Sequence, residues 1–142
     1  MKEGLHVQVA RHHGLIFLLD GAGALLSFFM LRAVVAPLNH LFGVPKAVCV
    51  LLAWPAFVFA WYSFGCYIFK PKNQRPFLQA IIVANLLYCS VSCAVLLYYW
   101  PQLTGLGRAY FLSEIGIILA LVRFEWLVLK VLVPVRNASG TV

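Results

Sequence analysis

Four long apolar runs constrain this chain more than any other feature: residues 14–36, 46–69, 77–100 and 108–133. Each reaches or exceeds the roughly 20 helical residues needed to cross a hydrocarbon core. Together they take up most of the 142 residues. The remainder is an amino-terminal arm, the connections 37–45, 70–76 and 101–107, and a tail after Pro134. None of these is long enough to bury a core of its own. The expectation is therefore one transmembrane domain across residues 1–142, an all-α integral membrane four-helix bundle. Composition agrees: 63% hydrophobic and 11% charged stands far from the roughly 45–50% apolar and about 25% charged usage of soluble domains.

The connections are punctuated where helices must stop and restart, by Pro37, Gly43 and Pro45, then Pro71 and Pro76, then Pro101, Gly105 and Gly107. Such short links predict antiparallel neighbours in up-down-up-down order. Pro55 falls inside the second run and is expected to bend it or free a carbonyl. Ala22-Gly23-Ala24 has the small-residue spacing of a signal cleavage site. It lies mid-run, in an apolar stretch longer than the about 7–15 residues of a signal core, so the segment reads as a retained crossing.

The net charge of +7 does not point to nucleic acid, because the cations stand at membrane edges and form no single patch. They report orientation instead. Lys2, Arg11, Lys70, Lys72, Arg75, Lys130 and Arg136 fall on one side, against Arg32, Lys46 and Arg108 on the other. The positive-inside bias then places both termini and the loop between the second and third runs in the cytoplasm. Trp54, Trp61, Tyr98, Tyr99, Trp100 and Trp126 lie toward the ends of the runs, as interfacial aromatics do.

Small and polar residues mark the faces that membrane helices turn to one another. Each run carries such a stripe at helical spacing: Asp20, Gly23, Ala24 and Ser27; Ala56, Ala60, Ser63 and Tyr67; Asn85, Tyr88, Cys89 and Ser92. In the fourth run Glu114, Ile118, Leu121 and Glu125 share one face, with Gly116, Ala120 and Arg123 nearly opposite. That second stripe could meet another copy of the chain. At about 1.5 Å per residue from the cytoplasmic ends, Asp20 and Ser63 lie about 9 Å deep, and Asn85 and Glu125 about 12 Å. The matching depths predict a buried cluster of Asp20, Ser63, Asn85 and Glu125, with Tyr88 alongside. Arg123 is a candidate ion-pair partner there, and Arg32 with Glu114 a candidate pair nearer the outer side.

The segments "DGAGALLS", "YSFGCY", "RPFLQAIIVANLLYC" and "YFLSEIGIILALVRFE" resemble a group of small, uncharacterised bacterial four-helix inner-membrane proteins. The resemblance spans roughly residues 14–125 and includes Asp20, Gly21, Asn85, Tyr88, Glu114 and Glu125. It implies a multi-pass bacterial setting and supplies no chemistry.

An intramembrane carboxylate costs about 2.5–3.5 kcal/mol at a helix centre on insertion scales and commonly marks an ion or proton site. The alternative for Asp20, Asn85 and Glu125 is interhelical hydrogen bonding that fixes register, at about 0.6 kcal/mol per bond. Arg32 and Arg123 also have a plain reading, in which their long side chains snorkel to the interface. Cys89 and Cys93 are four apart, with no C-x-x-C motif anywhere, so the cysteines read as small packing residues. His6, His12, His13 and His40 lie outside the runs, and no Cys/His spacing suits zinc. No metal, cofactor or catalytic set is expected. Asn137-Ala138-Ser139 matches a glycosylation acceptor on a tail expected to be cytoplasmic.

Three functions follow in order. The first is a non-enzymatic membrane module with an ion, proton or small-ligand site at Asp20, Ser63, Asn85, Tyr88 and Glu125. The second is a structural or accessory subunit that binds another membrane protein, its polar residues serving helix pairing only. The third is a membrane enzyme acting on lipid or quinone, for which no nucleophile and base stand close in sequence.

Overall fold

The computed structural model describes residues 2–132, with side chains over residues 14–130. Every regular element among them is helical. Helix α1 spans Lys2–Phe29 and continues as a π-helical segment, Met30–Val35. A single turn, α2, covers Asn39–Phe42, followed by α3 at Lys46–Phe69, α4 at Arg75–Tyr98 and α5 at Gly105–Leu132. Three stretches are long and apolar enough to cross a membrane: Gly14–Val35, Lys46–Phe69 and Arg75–Tyr98. Helix α5 occupies the fourth expected run with 28 residues. It carries Arg108, Glu114, Arg123, Glu125 and Lys130 and is not one of those three.

The boundaries have local causes. Helix α3 starts after Pro45, whose ψ of 137 is extended, and stops at Lys70, which turns left-handed with φ 43. Helix α4 begins two residues before the expected run because Pro76 fits its first turn, where a missing N–H costs nothing. Near the end of α1, Pro37 has no N–H and its ring crowds the carbonyl four residues back. The preceding turns widen, and Ala36 N–H donates to Leu31 O at 2.9 Å. Two features were not expected: α1 starts at Lys2 where an arm was anticipated, and the first connection contains α2. The tail with Arg136 and Asn137 lies outside the described residues, as do the side chains of Lys2, His6, Arg11, His12 and His13.

Helix α1 packs chiefly along α3, and α4 along α5, with smaller contacts of α1 with α5, α3 with α4, α2 with α5 and the π-helical segment with α3. The buried apolar residues form two clusters. One contains Leu31, Val35, Cys49, Leu52, Leu96 and Phe111. The other contains Ile16, Phe17, Cys66, Ile82 and Leu129. Along every long helix a buried polar residue falls between members of the two: Asp20 between Phe17 and Leu31, Ser63 between Ala56 and Cys66, Asn85 between Ile82 and Tyr88, Glu125 between Ile115 and Leu129. A polar layer is thus enclosed by apolar packing on either side.

Close backbone approach brings that layer together. A Cβ on Gly21 would stand 3.0 Å from the Phe64 ring, so glycine beside Asp20 lets α3 come near enough for Ser63 to reach the carboxylate. At the other end two connections clasp. Gly43 adopts φ 75, and a Cβ there would meet Gln102 O at 2.1 Å; one on Gly107 would meet Phe42 O at 2.0 Å. Thr104 N–H donates to Phe42 O at 3.2 Å. The Thr104 hydroxyl donates to Leu41 O and accepts from Gly107 N–H at 3.1 Å, as a helix N-cap does.

Candidate polar site in the helix interior

Asp20, Ser63, Asn85 and Glu125 are all buried, Ser63 and Glu125 completely. Ser63 Oγ donates to Asp20 Oδ2. Asn85 Nδ2 donates to Asp20 Oδ1 at 2.7 Å and faces Glu125 Oε1 and Oε2 at 3.4 and 3.5 Å. One side-chain amide, with two N–H donors, therefore serves carboxyl groups on two different helices. Each helix supplies its member through the stripe spacing read from the sequence, so the structure joins α1, α3, α4 and α5 at this point.

One turn further along α4, Tyr88 begins a second polar level. Its hydroxyl donates to Glu114 Oε1 at 3.3 Å. Ser27 and Tyr110 lie near this carboxyl, lining the same pocket. Glu114 Oε2 is buried without a partner, and so is Ser92 Oγ. Tyr110 lies four residues before Glu114 and so shares its helix face, which is the signal by which sequence could have found it. The sequence reading instead gave Glu114 to Arg32.

Both arginine assignments need correction. Arg32 and Arg123 are exposed, and neither takes part in the hydrogen bonds of Asp20, Glu114 or Glu125. Depth along a helix was matched, but facing direction was not. No Lys or Arg is buried among the residues whose side chains are described. Arg108, the least exposed of them, lies over the Trp100 ring at 4.5 Å and donates to Trp100 O at 2.9 Å. The four cysteines are free, with Cys49, Cys66 and Cys89 buried and Cys93 half-buried. His40 is exposed. Among the described residues, no three His, Cys, Asp or Glu side chains are grouped to hold a metal ion.

A cleft of about 300 Å³ connects the two levels, with Asp20 and Asn85 toward one end and Tyr88, Tyr110 and Glu114 toward the other. Its remaining walls are mostly apolar, and the exposed side chains of Leu26 on α1 and Ile117 on α5 stand at its rim. Chemically, this arrangement offers hydrogen-bond acceptors and ionisable carboxyl groups within an apolar enclosure.

Comparison of the chain with protein-family models, curated proteins and solved structures gave no match. The fold gives the class only in outline: an all-helical chain, three of whose helices are long and apolar enough to cross a membrane, consistent with a membrane protein.

Proposed function

We propose that the chain crosses a bacterial cytoplasmic membrane four times, with α5 as the fourth crossing and both termini inside, and takes up a proton or small cation at Asp20, Asn85 and Glu125. Ser63 and Tyr88 line the site. One observation carries this reading: three of the four acidic residues in the chain are buried, and the described residues offer them no buried cation. Burying an unpaired charge is costly enough that the group neutralises or captures a counterion. Positive charge that is held by carboxyl groups, and not by a fixed arginine, can be exchanged. The two levels are about 10 Å apart along α1, counting seven rises of about 1.5 Å from Asp20 to Ser27, and the cleft lies between them. The alternating order of helices is supported by one of the two apolar clusters, which collects Ile16 and Phe17, early in the apolar part of α1, with the ends of α3 and α5 and the start of α4.

The test is flux in proteoliposomes. Wild-type protein is expected to dissipate an imposed proton or alkali-cation gradient, with flux largely lost in Asp20→Asn and Glu125→Gln. Equal flux in wild type and both variants removes the transport reading.

A second reading, an accessory subunit that binds another membrane protein or a second copy, is favoured by the face opposite Glu114. Gly116, Ala120 and Arg123 are exposed there, and a Cβ on Gly116 would meet nothing within 4 Å. Small residues on a lipid-facing stripe permit close helix approach. Reproducible crosslinking of one other membrane protein in native membranes supports this role, and finding only self-contacts removes the heterologous version.

A further inference from the structure

The cleft between α1 and α5 is larger than a proton or a bare metal ion requires, and its walls indicate what else fits. A volume of about 300 Å³ lies at the small end of ligand pockets. Two acids, Asp20 and Glu114, line it with no basic residue, so charge complementarity favours a cation. Phe59, Tyr88 and Tyr110 present aromatic surface, which attracts ammonium groups through ring faces. Most other lining atoms are apolar and would cover a hydrocarbon body. An independent observation comes from Glu114. It is only 6% exposed, it lines this cleft, and its Oε2 has no hydrogen-bond partner. Its remaining acceptor capacity suits a donor from a bound molecule once the side chain turns Oε2 into the cleft. Access is lateral, since Leu26 and Ile117 at the rim are 62% and 66% exposed, on a surface that lipid covers in a membrane.

We infer that this cleft binds an amphipathic organic cation, a protonated amine carried on an apolar body, with the ammonium donating to Glu114 and the body lying among the side chains of α1 and α5. The ligand partitions into the bilayer first and then slides between the two helices. The inference rests on the membrane setting proposed above but not on flux, so the two fail separately. Proton or alkali-cation flux that is insensitive to Asp20→Asn leaves amine binding to be judged by its own measurement.

The measurement is equilibrium dialysis of the protein in lipid nanodiscs against 1-naphthylmethylamine, which is cationic at neutral pH, and against neutral 1-naphthylmethanol. Protein-free nanodiscs give the partition background. Saturable binding of one amine per chain is expected, with the alcohol and the Glu114→Gln variant each weaker by roughly tenfold or more, as loss of a charge-assisted hydrogen bond implies. A second variant keeps Glu114. Gly23 lines the cleft, and a Cβ there would meet nothing within 4 Å, so Gly23→Leu has room to fold and is expected to occupy the cleft and abolish amine binding. Equal uptake of amine and alcohol overturns the inference. So does saturable amine binding that Gly23→Leu leaves unchanged, whether or not Glu114→Gln can be purified.

Discussion

Asn85 donates its side-chain amide to Asp20 at 2.7 Å across 65 residues of sequence. Helices α4 and α1 do not pack along one another, so this bond crosses the interior of the helix assembly and does not follow from adjacency. The same nitrogen faces Glu125 on α5. Asn85 therefore links both carboxyl groups of the polar layer.

Removing that link has a measurable cost. Asn85→Ala is expected to lower the free energy of unfolding in detergent by roughly 1–2 kcal/mol, near the upper end for interhelical polar contacts in membranes. Asp20→Ala is expected to cost a similar amount. Because the two share a bond, the double variant should fall short of the sum by about 0.5 kcal/mol or more. Unfolding in SDS titrations of the four proteins checks this, and strict additivity would show that the bond contributes nothing to stability.

The two connections that meet beyond the helix ends predict opposite signs for two glycines of one helix. A Cβ on Gly107 would lie 2.0 Å from Phe42 O, a backbone atom with little freedom to move, while one on Gly116 would meet nothing within 4 Å. Gly107→Ala should destabilise by about 1–3 kcal/mol or more, as overpacking does. Gly116→Ala should be neutral or add up to about 1 kcal/mol through helix propensity. Thermal unfolding of the single variants in the same detergent distinguishes them.

Much of this architecture is legible in the sequence because helices keep constant rise and rotation. Pro45 and Pro71 mark the limits of α3, and the depths of Asp20, Ser63, Asn85 and Glu125 follow from counting residues, since nothing interrupts their helices between the ends and those positions. Where regularity fails, counting fails. Arg32 lies in the π-helical segment Met30–Val35, where each residue turns less than in an α-helix, so its facing direction cannot be carried forward from Ser27. Matching its depth to Glu114 therefore gave a pair that the structure does not form. The clasp of Gly43, Thr104 and Gly107 was invisible for another reason. It depends on which two loops meet, and hydrophobic periodicity holds no record of that.

Orientation in the membrane gives the third prediction. With the Lys70 and Lys72 loop in the cytoplasm, a cysteine at Asn73, exposed between α3 and α4, should react with a membrane-impermeant maleimide only in inverted vesicles. A cysteine at Gln102, exposed between α4 and α5, should react only from the outer side of intact cells. The buried native cysteines Cys49, Cys66 and Cys89 are expected to stay unlabelled, and Cys93→Ser removes the half-buried one. Labelling of both sites from the same side would contradict alternating crossings, and the reverse pattern would invert the protein.

Gly21 and Phe64 set the spacing on which the polar layer depends, and the pair can be tested by compensation. A Cβ at Gly21 would stand 3.0 to 3.3 Å from three atoms of the Phe64 ring. Gly21→Ala must therefore push α3 from α1 or tilt the ring, and either movement strains the bond from Ser63 to Asp20 one residue away. Two effects oppose each other. Alanine in a helix gains about 1 kcal/mol over glycine, whereas forced overpacking costs typically 1–3 kcal/mol. Because Cγ at the root of the Phe64 ring is itself only 3.3 Å away, turning the ring does not clear the contact and the second is expected to win, giving a net loss of about 1 kcal/mol or more in Gly21→Ala. Phe64→Leu, which removes the atoms in conflict, should restore most of that loss when combined with Gly21→Ala, although alone it destabilises by leaving space. The same pattern should appear in any flux that depends on Asp20: impaired in Gly21→Ala and recovered in the double variant. Stability recovered without flux would mean that helix spacing matters to the fold while the reach of Ser63 to Asp20 does not matter to the site.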